Sequence, residues 1–201
     1  MYNSEERLNE WIAAACAGDE LAAEAIYRRF SPAVFRMALA LLGDADDADE
    51  VTQDAFVYAL RALARFDPSR AAFQTWLFTI AISRCRNKRR RKWLNTVPLA
   101  WFARLEQPAA DARSMEDWLA ARGVQRELWA AVQSLSPNLR EAVTLRFVAG
   151  LTYADLGAVA GCGTRAAESR VRTAVAALRK RLLAQGRTEA DWREAIEALR
   201  Q

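Results

Sequence analysis

The 201-residue chain contains no histidine, and its three cysteines (Cys16, Cys85 and Cys162) are widely spaced with no C-x-x-C pair. Together these absences argue against a zinc site built from thiolates and imidazoles, and no cofactor is expected. There is no Gly-rich phosphate loop and no nucleophile beside an adjacent base, so the chain is not expected to be an enzyme. No apolar run approaches the roughly 20 residues of a membrane span, which predicts no membrane insertion of its own. The start, "MYNSEERLNE", is polar and acidic where a signal peptide would be basic and then apolar, which points to a reducing cytoplasm. Glycine and proline are scarce, with 8 and 5 copies, while Ala, Leu, Arg and Glu are abundant. Straight-chain residues lose little rotamer freedom in a helix, so an all-α protein is predicted.

What is present is charge separated along the chain. The formal net charge is only +4, yet residues 44–54 read "DADDADEVTQD" and residues 83–92 read "SRCRNKRRRK". Such segregation implies two partners of opposite character, one of them polyanionic.

Helix punctuation is readable. Gly18 can close a first helix over about 5–17, and Asp19 can cap the next. Ser31 followed by Pro32 reads as an N-cap with proline at the first helical position, beginning a separate helix that Gly43 ends. Another helix follows over about 46–65. The turn "FDPSR" precedes a longer helix over about 72–92. In that helix Phe73, Trp76, Leu77, Ile80 and Ala81 form a core stripe, and Thr75, Thr79, Ser83, Arg86 and Arg90 a polar one. Residues 93–125 read as an interdomain linker interrupted by Pro98 and Pro108 and closed by Gly123, with tryptophans that argue for docking. Helices resume at about 126, with Ser136-Pro137 opening one that Gly150 ends. Thr152 caps "YADLGAVA", with Asp155 in capping-box position. The turn Gly161-Cys162-Gly163 leads into a helix over about 164–184 with the apolar repeat Ala167, Val171, Ala174, Leu178 and Leu182.

Three constellations carry function. Residues 152–180 have the form of a helix-turn-helix, whose second helix needs a small apolar inner face and a polar outer face for the major groove. Arg165, Glu168, Ser169 and Arg172 supply that outer face; arginine can pair with guanine, and glutamate can accept from cytosine N4. The basic end of the 72–92 helix can neutralise backbone phosphates, and its aromatic neighbours suit unpaired bases. The acidic helix "DDADEVTQDAFVYAL" can bury Val51, Ala55, Phe56 and Ala59 while presenting Glu50, Gln53 and Asp54 elsewhere.

Taken together, these pieces resemble bacterial sigma factors of the extracytoplasmic-function (ECF) type within the sigma-70 family. The stretch from "DDADEVTQDAF" to "RCRNKRRR" looks like sigma region 2, and that from "LWAAVQSLSPN" to "ALRKRL" like sigma region 4. The resemblance implies two helical domains. Residues 1–92 would form region 2, 93–125 the linker, 126–183 the region 4 helix-turn-helix, and 184–201 a C-terminal amphipathic extension. It further implies a transcription initiation factor that binds core RNA polymerase, directs it to minus 10 and minus 35 promoter elements, and assists melting.

Carried onto this sequence, the resemblance gives core-polymerase binding to Glu50, Gln53 and Asp54. It gives minus 10 recognition to Arg65, Asp67, Ser69, Arg70 and Gln74, in the loop that would capture a flipped base of the melted strand. DNA backbone contacts fall to Arg84, Arg86, Lys88, Arg89, Arg90, Arg91, Arg140, Thr152 and Tyr153, and minus 35 recognition to Arg165, Glu168, Ser169, Arg172 and Thr173. Glu168 and Ala166 stand where the family commonly has Lys and Thr. An anti-sigma partner is also implied. The alternative is a conventional helix-turn-helix regulator that binds duplex DNA without polymerase. In the extension, Thr188 and Asp191 can cap a short helix with the stripe Trp192, Ala195, Ile196 and Leu199, which is expected to pack on its own domain because so short a helix is marginal alone.

Overall fold

The computed structural model describes residues 4–95 and 123–199, and within them the chain forms nine α-helices and no strand, as an all-α reading requires. In the N-terminal half these are α1 (Ser4–Cys16), α2 (Glu20–Leu42), α3 (Ala45–Arg61) and α4 (Phe73–Asn95). Helices α2, α3 and α4 pack on one another, and α1 lies along α2. The caps follow local chemistry. Asp19 accepts from the Leu21 and Ala22 N–H groups at the start of α2, and Asp44 accepts from Asp47 N–H at 3.0 Å to start α3. Gly43, at φ +72°, closes α2 by donating its N–H to the Leu39 carbonyl at 2.8 Å.

One sequence expectation fails here. Ser31-Pro32 does not begin a new helix, because α2 runs through it without a break. An interior proline costs about 3 kcal/mol. The stripe Ile26, Phe30, Val34, Met37 and Leu41 continues at helical spacing on both sides of it, and every member is buried. That burial, at roughly 1.5–3 kcal/mol for each large side chain, outweighs the local cost. The helix expected over 46–65 also divides: the α-helix ends at Arg61, and a tighter 3-10 turn over Leu63–Arg65 carries Leu63 into the core.

The C-terminal half holds α5 (Gly123–Gln133), α6 (Pro137–Val143), α7 (Tyr153–Ala160), α8 (Thr164–Ala184) and α9 (Glu189–Ala198). Gly123 opens α5, where it was expected to close the preceding segment, since glycine is tolerated at a helix start. Pro137 takes the first helical position as expected, but α6 is short. A wider π-type turn over Thr144–Val148 follows it, in which Ala149 N–H donates to the Thr144 carbonyl at 3.0 Å. The linker expectation falls mainly on residues 96–122, outside the described residues. Helix α9 packs on its own half: Trp192, Ala195 and Leu199 join Leu128, Ala131, Val132, Leu178 and Leu182 in one apolar cluster. Its start carries a full capping box between Thr188 and Asp191.

The two halves also share a core. Side chains of α2, α3 and α4, including Val34, Met37, Leu41, Phe78 and Ile82, are continuous with Ala142, Leu145, Leu156 and Val159 of the other half. Helix α2 meets α5 and the π-type turn, and α4 meets α7.

Candidate nucleic-acid interface

The loop "RFDPSR" stands on an aromatic pedestal. Phe66 and Phe73 meet edge-on with centroids 5.4 Å apart, Trp76 lies 5.4 Å from Phe66, and Phe30 lies 5.1 Å from Phe73. Above it, Asp67 accepts from both the backbone N–H (2.9 Å) and the hydroxyl (2.7 Å) of Ser69, forming an Asx-turn. These two bonds hold the Asp67 carboxyl below its ordinary pKa. Arg65, Asp67, Ser69 and Arg70 are all exposed on this loop. Gln74, the fifth candidate, is not with them: it points toward the other half, its amide 3.4 Å from the Ala149 carbonyl.

On α4 the expected change of character occurs within one rod. Leu77, Phe78, Ala81, Ile82 and Cys85 are buried, and burial pushes the Cys85 thiol up to about 12. The cations that follow are deployed unequally. Arg90 and Arg91 are exposed. Arg84 lies 4.9 Å over the ring of Tyr58, a cation–π contact that gives the half-exposed tyrosine a role sequence reading did not assign. Lys88 donates to Glu50 and lies 3.4 Å from Asp47; burial alone would lower its pKa, but these carboxylates outweigh that and raise it. Arg86 forms a forked pair with Glu141 of the other half, with Nε 3.0 Å from Oε2 and the second nitrogen on Oε1. That pairing raises the Arg86 pKa.

The acidic face of α3 forms as expected, with Val51, Ala55, Phe56 and Ala59 buried and Glu50, Gln53 and Asp54 exposed. Gln53 donates to Asp49 at 2.7 Å, so one side of this face is internally ordered. Glu50 is engaged by Lys88 yet stays exposed, and Asp54 is exposed beside it.

The helix-turn-helix is made by α7 and α8. Its turn depends on Gly161, at φ +68°, and on a residue that sequence reading passed over: a Cβ on Gly157 would stand 2.7 Å from the Cys162 carbonyl oxygen. Ala167, Val171, Ala174, Leu178 and Leu182 form the buried inner face of α8 as expected, and Arg165, Glu168, Ser169, Arg172 and Thr173 the exposed outer one. Thr152 is occupied as a cap: its hydroxyl donates to Asp155 at 2.6 Å and accepts from the Asp155 N–H at 3.2 Å. Tyr153 lies beneath the Arg146 guanidinium at 4.9 Å.

Arg140 departs furthest from expectation. It is not on an open face but in the seam between the halves, donating to the carbonyls of Leu41 (3.2 Å), Gln133 and Leu135. Burial lowers its pKa, with the nearby Arg89 charge adding to the effect. Beside it Gln133 donates to the Ala40 carbonyl at 2.7 Å; elsewhere between the halves Thr75 donates to Asp155 at 3.3 Å. The sequence gives no signal for Gln133 or Glu141, whose roles arise only when the halves meet.

The chain that carries this acidic helix, aromatic-pedestal loop, basic rod and helix-turn-helix matches two family models, "Sigma-70 region 2" over residues 26–94 and "Sigma-70, region 4" over residues 125–178. The chain is also 30% identical over 171 residues to the RNA polymerase sigma-H factor of Pseudomonas aeruginosa, covering 82% of this chain and 88% of that one. The chain belongs to the ECF sigma factor family. To the ECF sigma factor SigC of Mycobacterium tuberculosis it is 32% identical over 180 residues, covering 88% and 91% of the two chains. Among solved structures, CnrH in complex with the cytosolic domain of CnrY aligns with a TM-score of 0.65 at 27% identity, covering 89% of this chain and 98% of that one. As a sigma factor the protein is a non-enzymatic transcription initiation factor that acts with RNA polymerase, and a conventional helix-turn-helix regulator is not favoured because the match includes region 2. No helix among the described residues is long and apolar enough to cross a membrane.

Proposed function

We propose that this sigma factor docks on core polymerase through α3, captures a minus 10 base on the Asx-turn loop, and reads the minus 35 element with α8. Residues 1–92 act as region 2, 93–125 as linker, 126–183 as region 4 and 184–201 as an extension that completes the region 4 core. The observation that carries this reading is the exposed, hydrogen-bonded presentation of Arg65, Asp67, Ser69 and Arg70 above the aromatic cluster, at the N-terminal end of the same helix α4 whose later turns are cationic. A base removed from its stack costs a few kcal/mol, which contacts from these loop side chains and phosphate contacts elsewhere on the protein can recover. Arg84, Arg86, Lys88, Arg89, Arg90 and Arg91 supply the phosphate contacts on α4, while Arg140, Thr152 and Tyr153 position the backbone near region 4. Glu50, Gln53 and Asp54 suit a basic partner surface, with Asp54 contributing most to encounter. The protein acts in the cytoplasm.

An antagonist protein is also proposed, by analogy with CnrH, which was solved with CnrY. Reconstituted transcription tests the whole reading. Core polymerase plus this chain should initiate from a cognate promoter, and Asp54→Arg should abolish both initiation and retention on immobilised core. Initiation that is unaffected by Asp54→Arg removes α3 from the docking surface.

A further inference from the structure

The outer face of α8 carries a cation every second turn. Arg165, Arg172 and Arg179 stand seven residues apart, and all three are exposed. Seven residues fall about 20° short of two full turns, so the three project within about 40° of one another, about 10.5 Å apart along the axis. Among the described residues neither Arg165 nor Arg172 has a side-chain partner, whereas Arg179 is claimed by the C-terminal extension. Its Nε lies 3.0 and 3.1 Å from the two carboxylate oxygens of Glu189, and its Nη2 also donates to Oε1. We propose that α9 limits the electrostatic footprint of region 4: Glu189 holds Arg179 off the DNA backbone, so α8 makes one phosphate contact fewer than its cationic stripe would otherwise allow. The inference rests on the reading of α8 as the DNA-facing helix.

The length of α8 brings Arg179 within range of such a contact. Its 21 residues span about 31 Å, against a major groove about 12 Å wide. A helix whose first turns read bases therefore carries its later turns past the groove edge, at the level of the sugar–phosphate backbone. An arginine there adds affinity without adding sequence information, because every sequence offers it the same phosphates.

The way α9 is held favours capture by Glu189. An exposed ion pair between two freely moving side chains gains little, since both must be ordered to form it. Glu189 opens α9 immediately after Thr188, whose capping box with Asp191 fixes the first turn. Behind it Trp192, Ala195 and Leu199 are buried in the region 4 core. Just before the cap, Arg187 forms a forked pair with Glu127 of α5, with nitrogen–oxygen distances of 2.7 and 2.6 Å. The Glu189 carboxylate is thus presented to Arg179 by a backbone anchored on either side of it. The pair fills the Nε–Nη2 edge of the guanidinium and balances its charge, and that charge is what releases counterions from DNA.

The test follows the full chain binding a labelled duplex of arbitrary sequence, read by fluorescence anisotropy between about 50 and about 200 mM salt. Glu189→Gln should steepen the log-log salt slope by about 0.9, the value of one added phosphate contact. Across that fourfold range of salt, its advantage over the parent should be about 3.5-fold larger at the low end. Arg179→Ala should leave the parent slope unchanged, and combined with Glu189→Gln it should restore the parent slope. Glu194→Gln removes one negative charge elsewhere on exposed α9 and should keep the parent slope. A gain in Glu189→Gln that survives Arg179→Ala, or that Glu194→Gln reproduces, is a general charge effect and overturns the proposal. An unchanged slope in Glu189→Gln, or a shallower one in Arg179→Ala alone, overturns it too. If Glu189→Gln loses its helical circular dichroism, Glu189→Asp carries the decision: it keeps the charge at the helix start but is too short to fill the fork. Its slope should steepen by less than that of Glu189→Gln, and no steepening overturns the proposal. Arg165→Ala with Arg172→Ala separates the two readings. If that pair leaves the parent slope unaltered, α8 does not face DNA and the underlying reading falls; if it lowers the slope while Glu189→Gln changes nothing, only the capture by Glu189 falls.

Discussion

On α4, Arg86 and Lys88 are held by Glu141 and by Glu50 with Asp47, whereas on α8, Arg165 and Arg172 stand exposed on the outer face beside Glu168. The two helices carry similar cations over similarly apolar inner faces. They differ in where another element brings a carboxylate: to Arg86 and Lys88 on α4, but on α8 to Arg179, about two turns past Arg172, where Glu189 of α9 pairs with it. Helix α4 packs against α3, which carries Asp47 and Glu50, and its Arg86 reaches Glu141 of α6, so its cations meet acids of both halves; Arg165 and Arg172 lie opposite the buried inner face of α8. The same residue type can therefore act as an internal clamp on one helix and as an outward contact on the other, and charge density alone does not distinguish them.

The strongest way to disturb this contrast is to remove what supports α8 from behind. Trp192→Ala empties the centre of the α5, α8 and α9 cluster and is expected to cost about 3–5 kcal/mol, read as a lower denaturant midpoint in region 4. Region 2, whose core is continuous with Leu145, Leu156 and Val159 but does not contain Trp192, should lose less of its midpoint than region 4.

Next in size is base discrimination. Arg172→Ala should cost about 1–3 kcal/mol of preference at one minus 35 position, measured by competition among promoter variants for the polymerase complex. Arg86→Ala should leave that preference unchanged; a shift there would place α4 in sequence readout.

Replacing exposed Arg90 and Arg91 by alanine should lower the log-log salt slope of promoter binding by about 0.7–0.9 for each lost phosphate contact. An unaltered slope would show that these two cations do not touch the backbone.

Cysteine alkylation sharpens the comparison at the seam. Exposed Cys16 should react readily, and buried Cys85, its thiol pushed up to about 12, only on unfolding. Cys162, half-buried against the shared core, should react faster in Glu141→Gln than in the parent chain.

The smallest effect is expected in acid. Arg187 holds the Glu127 carboxyl below its usual value, Arg179 does so for Glu189, and Thr188 for Asp191. These bonds stabilise the α9 clasp above the ordinary carboxylate pKa of about 4, and their contribution is lost as pH falls through the depressed values. A slight drop in the melting temperature of region 4 below that pH should be smaller in Glu127→Gln with Glu189→Gln, which leave only the Asp191 contribution of the three.

Local chemistry made much of the fold legible. Asp19, Gly43, Thr152, Thr188 and Gly161 act as caps or stops because each forms its bonds within a few residues of itself. The inner face of α8 was readable because its period is that of the helix. Pro32 misled for the converse reason: its local cost is real, but the burial that overrides it comes from α3 and α4, far away in sequence. Of the candidate site, the loop from Arg65 to Arg70 and the outer face of α8 stand where their sequence placed them, exposed and together. Gln74, Arg86, Lys88 and Arg140 do not, since each has a partner between 38 and 99 residues away.

The sequence by itself determined that this chain is helical, which faces of its helices are apolar, where they start, and which segments carry the charge and turn chemistry of a sigma factor. Those properties depend on backbone propensity, capping and periodicity, which act over one or two turns. Only the tertiary structure decided which cations face solvent and which are spent on the opposite half, because an ion pair is set by the distance between its groups in space, and that distance is fixed only when regions 2 and 4 meet across Arg86, Arg140, Gln133 and Glu141.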